Sequence, residues 1–296
     1  MHVLRTTSFA FRYYSETMIE NFLEHIDACP TAHHVVDRAS ALLSANGFAQ
    51  APLDAPFAIN LLERGFVSHG GTIIAWKNAK SISAQGIRIV GAHTDSPGLH
   101  IKPNPDTQTL QWQQLQVEVY GGPLLNSWLD RDLAIAGHVV LRDGTTSLFA
   151  SELPVARIPQ LAIHLDRDVN DKGLVLNRHQ HLNPIWATGT STFSFEHWLA
   201  QQNSVSDSQI ASWSAQLVDT QKAEIFGRDS EFIASSRIDN QISCWAALAA
   251  LLADAGNQPM MVALFDHEEV GSQSSTGAGG PMLEHVLERL AYASGS

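Results

Sequence analysis

Met18, Ile19, Phe22, Leu23 and Ile26 recur at the spacing of one helical face, and Pro30 closes that run. Thr31 then stands where a helix cap belongs. Val35, Val36, Ala39, Leu42 and Leu43 make a second apolar face that stops at Gly47. The pattern therefore predicts two helices within residues 15–47. Short apolar runs at 71–76 and 86–90 predict strands, the second entering the loop Gly91-Ala92-His93-Thr94-Asp95-Ser96-Pro97-Gly98. From about residue 110 to 149 the period changes to two: Leu115, Val117 and Val119, then Ile135, Val139 and Leu141. Gly121, Gly122, Pro123 and Gly144 punctuate this stretch, which predicts antiparallel β structure. Residues 180–230 are polar and show no clean period. After about residue 235 an α/β pattern returns, with a helix over 242–255, a buried strand over 259–265 and a loop over 266–280. No internal repeat or low-complexity tract interrupts the chain.

This layout predicts an α/β domain interrupted by a β-rich insertion, and a length of 296 residues agrees with about two domains. The two strands that end in His- or Asp-bearing loops, Val90 toward His93 and Phe265 into Asp266, mark where open α/β sheets place their sites.

Composition narrows the function classes. Lys and Arg total 18 against 30 Asp and Glu, so the charge of −12 argues against nucleic acid or an anionic membrane as partner. Charged residues are only 16% of the chain, below the ordinary share of about 25%, which points to surface buried between subunits. Cys29 and Cys244 form no CxxC pair or disulfide framework, and a reducing compartment is the simplest reading. Residues 1–14 show no leader pattern, and the longest apolar stretch, 244–253, is half a membrane span. The expected location is the cytoplasm.

Three segments could carry chemistry. His93 and Asp95 follow a strand end, and a carboxylate two residues on can hold one imidazole nitrogen while the other ligates a metal. Taken alone, a surface loop with an incidental His-x-Asp fits equally well. Asp266-His267-Glu268-Glu269 follows an apolar strand. In extended backbone, adjacent carboxylates point in opposite directions, so one could ligate a metal while its neighbour acts as a base. A solvated acidic loop is the plainer reading of that run. Asp239 opens a helix, where Asp is an ordinary cap, although a carboxylate there can also bridge two cations. His164, in Leu161-Ala162-Ile163-His164-Leu165, reads as a strand residue opposite Ile163. Like His138 and the His179/His181 pair, it fits a structural role by itself. The chain has no Gly-x-Ser-x-Gly elbow and no phosphate-cradling Gly-x-x-x-x-Gly-Lys loop.

The combination changes the odds. Gly91-Ala92-His93-Thr94-Asp95-Ser96-Pro97, Ser236-Arg237-Ile238-Asp239-Asn240 and Asp266-His267-Glu268-Glu269-Val270-Gly271-Ser272, in that order, resemble the aspartyl aminopeptidase family of dizinc metallopeptidases. Further similarity runs through Leu62-Glu63-Arg64, Trp128-Leu129-Asp130-Arg131-Asp132-Leu133 and Arg157-Ile158-Pro159. The resemblance implies an α/β/α catalytic domain (residues 1–105 and 233–296) interrupted by a β-rich dimerisation domain (106–232). It implies two Zn ions per site, with Mn or Co as substitutes. His93 and Glu269 would each ligate one ion and Asp239 would bridge both. Glu268 would be the general base, Asp95 would orient His93, and His164 would be lent to a neighbouring subunit's site. It also implies peptide substrates with N-terminal Asp or Glu, and self-association into dimers and a dodecamer.

His100 and Gln160 depart from the usual family residues. The family pattern also places an Asp ligand, a final His ligand and most of the acidic-specificity pocket after position 296. The 296-residue chain by itself is therefore expected to be inactive. The alternative is a catalytically incomplete homologue that acts as an assembly or interaction protein.

Overall fold

The computed structural model describes residues 17–189 and 194–295; the leader reading for residues 1–14 lies outside the described residues. The chain forms two units, Met1–Asp95 with Lys222–Ser296, and Ser96–Gln221.

In the first unit the apolar spacing gives α1 (residues 17–28) and α2 (Ala32–Ala45) as expected. The Thr31 hydroxyl caps α2 by accepting the His34 amide, and Gly47 follows the helix at φ +79°, a backbone state that glycine adopts without strain. Next come β1 (Ala49–Gln50), β2 (Arg64–His69), β3 (Thr72–Lys77), the short α3 (Ile82–Gln85) and β4 (Arg88–His93).

The second unit begins with β5 (Gly98–Thr109), β6 (Trp112–Tyr120), β7 (Leu133–Leu141), β8 (Thr146–Ala150) and α4 (Val169–Lys172). It ends with β9 (Ile185–Thr188), α5 (Phe195–Gln202) and β10 (Ile210–Asp219). The chain then returns to the first unit with a hairpin of β11 (Glu224–Phe226) and β12 (Phe232–Ala234), then α6 (Ile238–Ala253), β13 (Met260–Phe265) and α7 (Met282–Ala293).

The first unit is an α/β/α layer, and its strands show why. Every residue of β3 is buried, because both faces of the sheet β1-β2-β3-β13-β4 are covered. Ile73 and Ala75, with Val262 and Leu264 of β13, pack against Val36, Ala39 and Leu43 of α2 and Cys244, Ala247, Leu248 and Leu251 of α6. The alternate residues Ile74, Trp76, Met261, Ala263 and Phe265 pack against Met282, Val286 and Leu290 of α7. The second unit is built on the antiparallel sheet β8-β7-β10-β5-β6-β9. Leu99, Leu115, Val117, Leu133, Ile135, Val139 and Leu217 share one large cluster with Phe195 and Leu199 of α5.

Four sequence expectations change. The unit boundaries fall at Asp95/Ser96 and Gln221/Lys222 rather than at 105/106 and 232/233. The reason is that β5 already belongs to the second sheet, while the Ala223 amide and the Lys222 ammonium engage Asp27 of α1. The strand expected over 86–90 runs on to His93, carried by its pairing with β13. The unparsed stretch 180–230 holds α5 and the interior strand β10. Finally, residues 163–165 form a turn, not a strand, and His164 lies exposed in it; Leu161, Ile163 and Leu165 are exposed as well, so no buried face drives strand formation there.

Candidate metal centre

β13 and β4 are parallel neighbours in a register that pairs Phe265 with His93. Their C-terminal ends therefore bring the His93 loop and the Asp266–Glu269 segment together at one edge of the sheet, where sheets of this type form sites. His93 closes β4. Its Nδ1 lies 3.3 Å from the Asp95 carboxylate and 3.1 Å from the Asp95 carbonyl oxygen, which leaves Nε2 facing outward. Nε2 is 3.3 Å from Asp239 Oδ1 and 3.9 Å from Glu268 Oε2.

Asp95 is buried and does more than orient the imidazole. Its two carboxylate oxygens accept the backbone amides of Glu268 (3.2 Å) and Glu269 (3.1 Å), which ties the two loops together. Glu268 and Glu269 depart from the extended backbone expected of them. His267 adopts a left-handed conformation (φ +64°), and Glu268–Val270 turns as a single 3₁₀ turn. As a result the carboxylates converge instead of pointing apart. One ligand atom from each of His93, Glu268 and Glu269 lies within 4.8 Å of the other two. Asp239 is not a conventional cap. It lies within the first turn of α6 with non-helical angles, and its largely exposed carboxylate reaches His93.

The electrostatics favour a positive charge at this point. His93 is pushed up to about 9, first by its hydrogen bond to Asp95, with Glu268 adding to the effect. Burial raises the Glu269 carboxyl, and the Asp95, Glu268 and Asp239 carboxylates raise it further. One imidazole nitrogen and several mutually repelling carboxylates form a nitrogen–oxygen donor set that fits a divalent cation of the Zn, Mn or Co kind.

Sequence reasoning left out the polar residues behind these groups. The Thr94 hydroxyl donates to the Gly71 carbonyl (2.6 Å), Gln241 Nε2 donates to the Thr94 carbonyl (2.8 Å), and Cys244 Sγ donates to the His93 carbonyl (3.0 Å). Gln241 and Cys244 thereby hold the start of α6 to the end of β4. Their only signal in the sequence is position, two and five residues after Asp239. His164, exposed in the second unit, is not among the residues brought together here.

The sequence profile of the Aminopeptidase I zinc metalloprotease (M18) family matches residues 25–296. The chain belongs to the M18 family. A probable M18 family aminopeptidase 2 from Streptomyces coelicolor is 43% identical over 285 residues, covering 93% of this chain and 66% of that protein. The chain thus spans about two thirds of the length of that relative. Among solved structures, Chaetomium thermophilum mApe1 is similar with TM-score 0.85 and 29% identity, covering 94% of this chain and 68% of that one. The S. cerevisiae mApe1 dodecamer is similar with TM-score 0.78 and 25% identity, covering 95% and 67%. M18 membership agrees with the motif resemblance and with the α/β fold, and the family's description as zinc metalloproteases agrees with the donor set.

Proposed function

We propose that this chain carries the metal-binding part of an aminopeptidase that removes N-terminal Asp or Glu from peptides. The observation that carries the reading is the convergence of His93, Glu268 and Glu269 within 4.8 Å, with Asp239 beside His93, in a chain of the M18 family. His93, Asp239 and Glu269 would hold two zinc ions, with Asp239 as the ligand shared by both, and Asp95 holds Nδ1 so that Nε2 is left free to ligate. When bound, zinc supplies Lewis acidity toward the scissile carbonyl and lowers the pKa of water.

The remaining work falls to the chain's own groups. Glu268 is more exposed than Glu269, projects from the same turn, and takes the proton of the attacking water as general base before returning it to the leaving amine. The amide bonds from Glu268 and Glu269 to Asp95 hold that turn in register with His93. The acidic preference, the contribution of His164 to a neighbouring subunit, peptide substrates and assembly into a homo-oligomer up to a dodecamer rest on the motif resemblance and, for the assembly, on the dodecameric relative; a cytoplasmic location rests on the cysteine usage alone. Among the described residues, no helix is long and apolar enough to cross a membrane.

Zinc titration with the 296-residue chain tests the ligands: saturable binding is expected, and it is lost in His93→Ala. The 296-residue chain by itself is expected to be inactive toward peptides with N-terminal Asp or Glu; any turnover it does show is expected to fall about 10²–10⁴-fold in Glu268→Gln while zinc binding persists. A chain that binds no zinc would favour an assembly protein. Hydrolysis that survives in Glu268→Gln would overturn the assignment of the base.

A further inference from the structure

We propose that Thr72 is a positioning residue for the metal centre, a single hydroxyl that pins both ends of the loop carrying Glu268 and Glu269. Thr72 opens β3, is fully buried, and lies outside all three site motifs. Its hydroxyl accepts the Asp266 amide (2.8 Å), at the point where the chain leaves β13, and donates to the Thr276 carbonyl (2.6 Å) ten residues further on. One donor and one acceptor are thus both used, and the loop between them is closed at its base by one side chain.

Asp266 and Thr276 are buried beside Thr72, so removing the hydroxyl leaves a backbone N–H and a backbone C=O unpaired away from water. The Asp266 carboxylate accepts the His267 amide, the residue whose left-handed backbone starts the Glu268 turn. Next to Thr72, Gly71 approaches so closely that a Cβ there would lie 2.3 Å from Asp266 Oδ2. The Gly71 carbonyl in turn accepts the Thr94 hydroxyl, between His93 and Asp95. Position 72 therefore sets where the acidic turn stands against the strand end that bears His93.

The inference rests on the metal reading above for its functional meaning, but its geometric content can be measured without metal. In Thr72→Val, which keeps the shape and removes the hydroxyl, hydrogen exchange at the Glu268 and Glu269 amides is expected to speed up about tenfold or more. Zinc affinity is expected to fall about 10–100-fold, the range for groups that orient ligands. Thr72→Ser, which restores the hydroxyl, should return both values close to the parent. Gly71→Ala should move both in the same direction as Thr72→Val, by displacing Asp266 sterically. Val286→Ala, a core truncation on α7, serves as the stability control and should leave both near the parent at a similar loss of Tm. Parent-like exchange and affinity in Thr72→Val would overturn the proposal, as would equal losses in Val286→Ala. If His93→Ala binds zinc as tightly as the parent, the metal reading fails, while the exchange rates still decide whether Thr72 pins the loop.

Discussion

The two units handle buried polarity in opposite ways. Ten polar or charged side chains are buried among the described residues, and nine belong to the first unit: His25, Thr31, Thr72, Lys77, Thr94, Asp95, Gln241, Asp266 and Thr276. The second unit has Gln113 alone. Its core is one large apolar cluster on one side of an antiparallel sheet, in which Phe195 packs against Trp186, Trp198 and Trp213, with a small second cluster of Ala134, Ala136 and Val218. Burying a polar group costs free energy unless its hydrogen bonds are met, so a fold concentrates such groups only where something else requires them. In the first unit most of them surround the ends of β4 and β13. The first unit gives up ease of packing to hold acidic groups in place, whereas the second is built for cohesion.

The strongest way to break that contrast is to damage cohesion alone. In Gly137→Ala a Cβ would lie 2.0 Å from the Ser214 carbonyl oxygen and 2.8 Å from Ala215 Cα, both on the paired strand β10. Backbone cannot yield as a side-chain tip can, so the second unit should lose about 3 kcal/mol, the upper end for overpacking. Denaturant unfolding followed by the fluorescence of Trp198 and Trp213 would report it, with zinc binding in the first unit unchanged.

An effect of at most that size separates the units by pH. Burial first, and the Arg38 charge second, push His25 down to about 4, against the opposing effect of its hydrogen bond with Gln241. Because the folded pKa is below the unfolded value of about 6.5, the unfolded chain binds more protons between the two. The contribution is fully present above about pH 6.5 and is lost as pH falls toward 4, by up to about 3 kcal/mol. Melts from pH 7 to 4.5 should show the first unit weakening across this window, and His25→Leu should flatten the dependence.

The smallest expected change is at Lys77, whose buried ammonium lies 2.7 Å from the Asp254 carboxylate and 2.5 Å from its carbonyl oxygen. Lys77→Met keeps the stem and removes a charge whose partner is solvated, so a loss of about 1 kcal/mol is expected in chemical denaturation.

Much of this molecule was legible where one local period dominates. The helical spacing in α1 and α2, the Thr31 cap, the alternation in β6 and β7 and the apolar run of β13 all follow from faces that must be buried, and burial leaves a periodic mark. The site motifs were legible as residue types in order. β10 was not, because Ser212, Ser214 and Gln216 dilute its pattern, and its place in the sheet comes from β7 and β5 on either side. His164 was misread because apolar alternation without a partner surface forms no strand.

By itself, then, the amino-acid order determined an α/β plan interrupted by a β-rich insertion and named His93, Asp95, Asp239, Glu268 and Glu269 as candidates. Only the tertiary structure decided that Glu268 and Glu269 converge, through a left-handed His267 and two amides held by Asp95. It alone joined Thr72 to both ends of their loop, across 194 positions to Asp266 and 204 to Thr276. The physical reason is range. Burial periodicity repeats within a few residues, while a hydrogen bond between distant segments leaves no periodic trace in either.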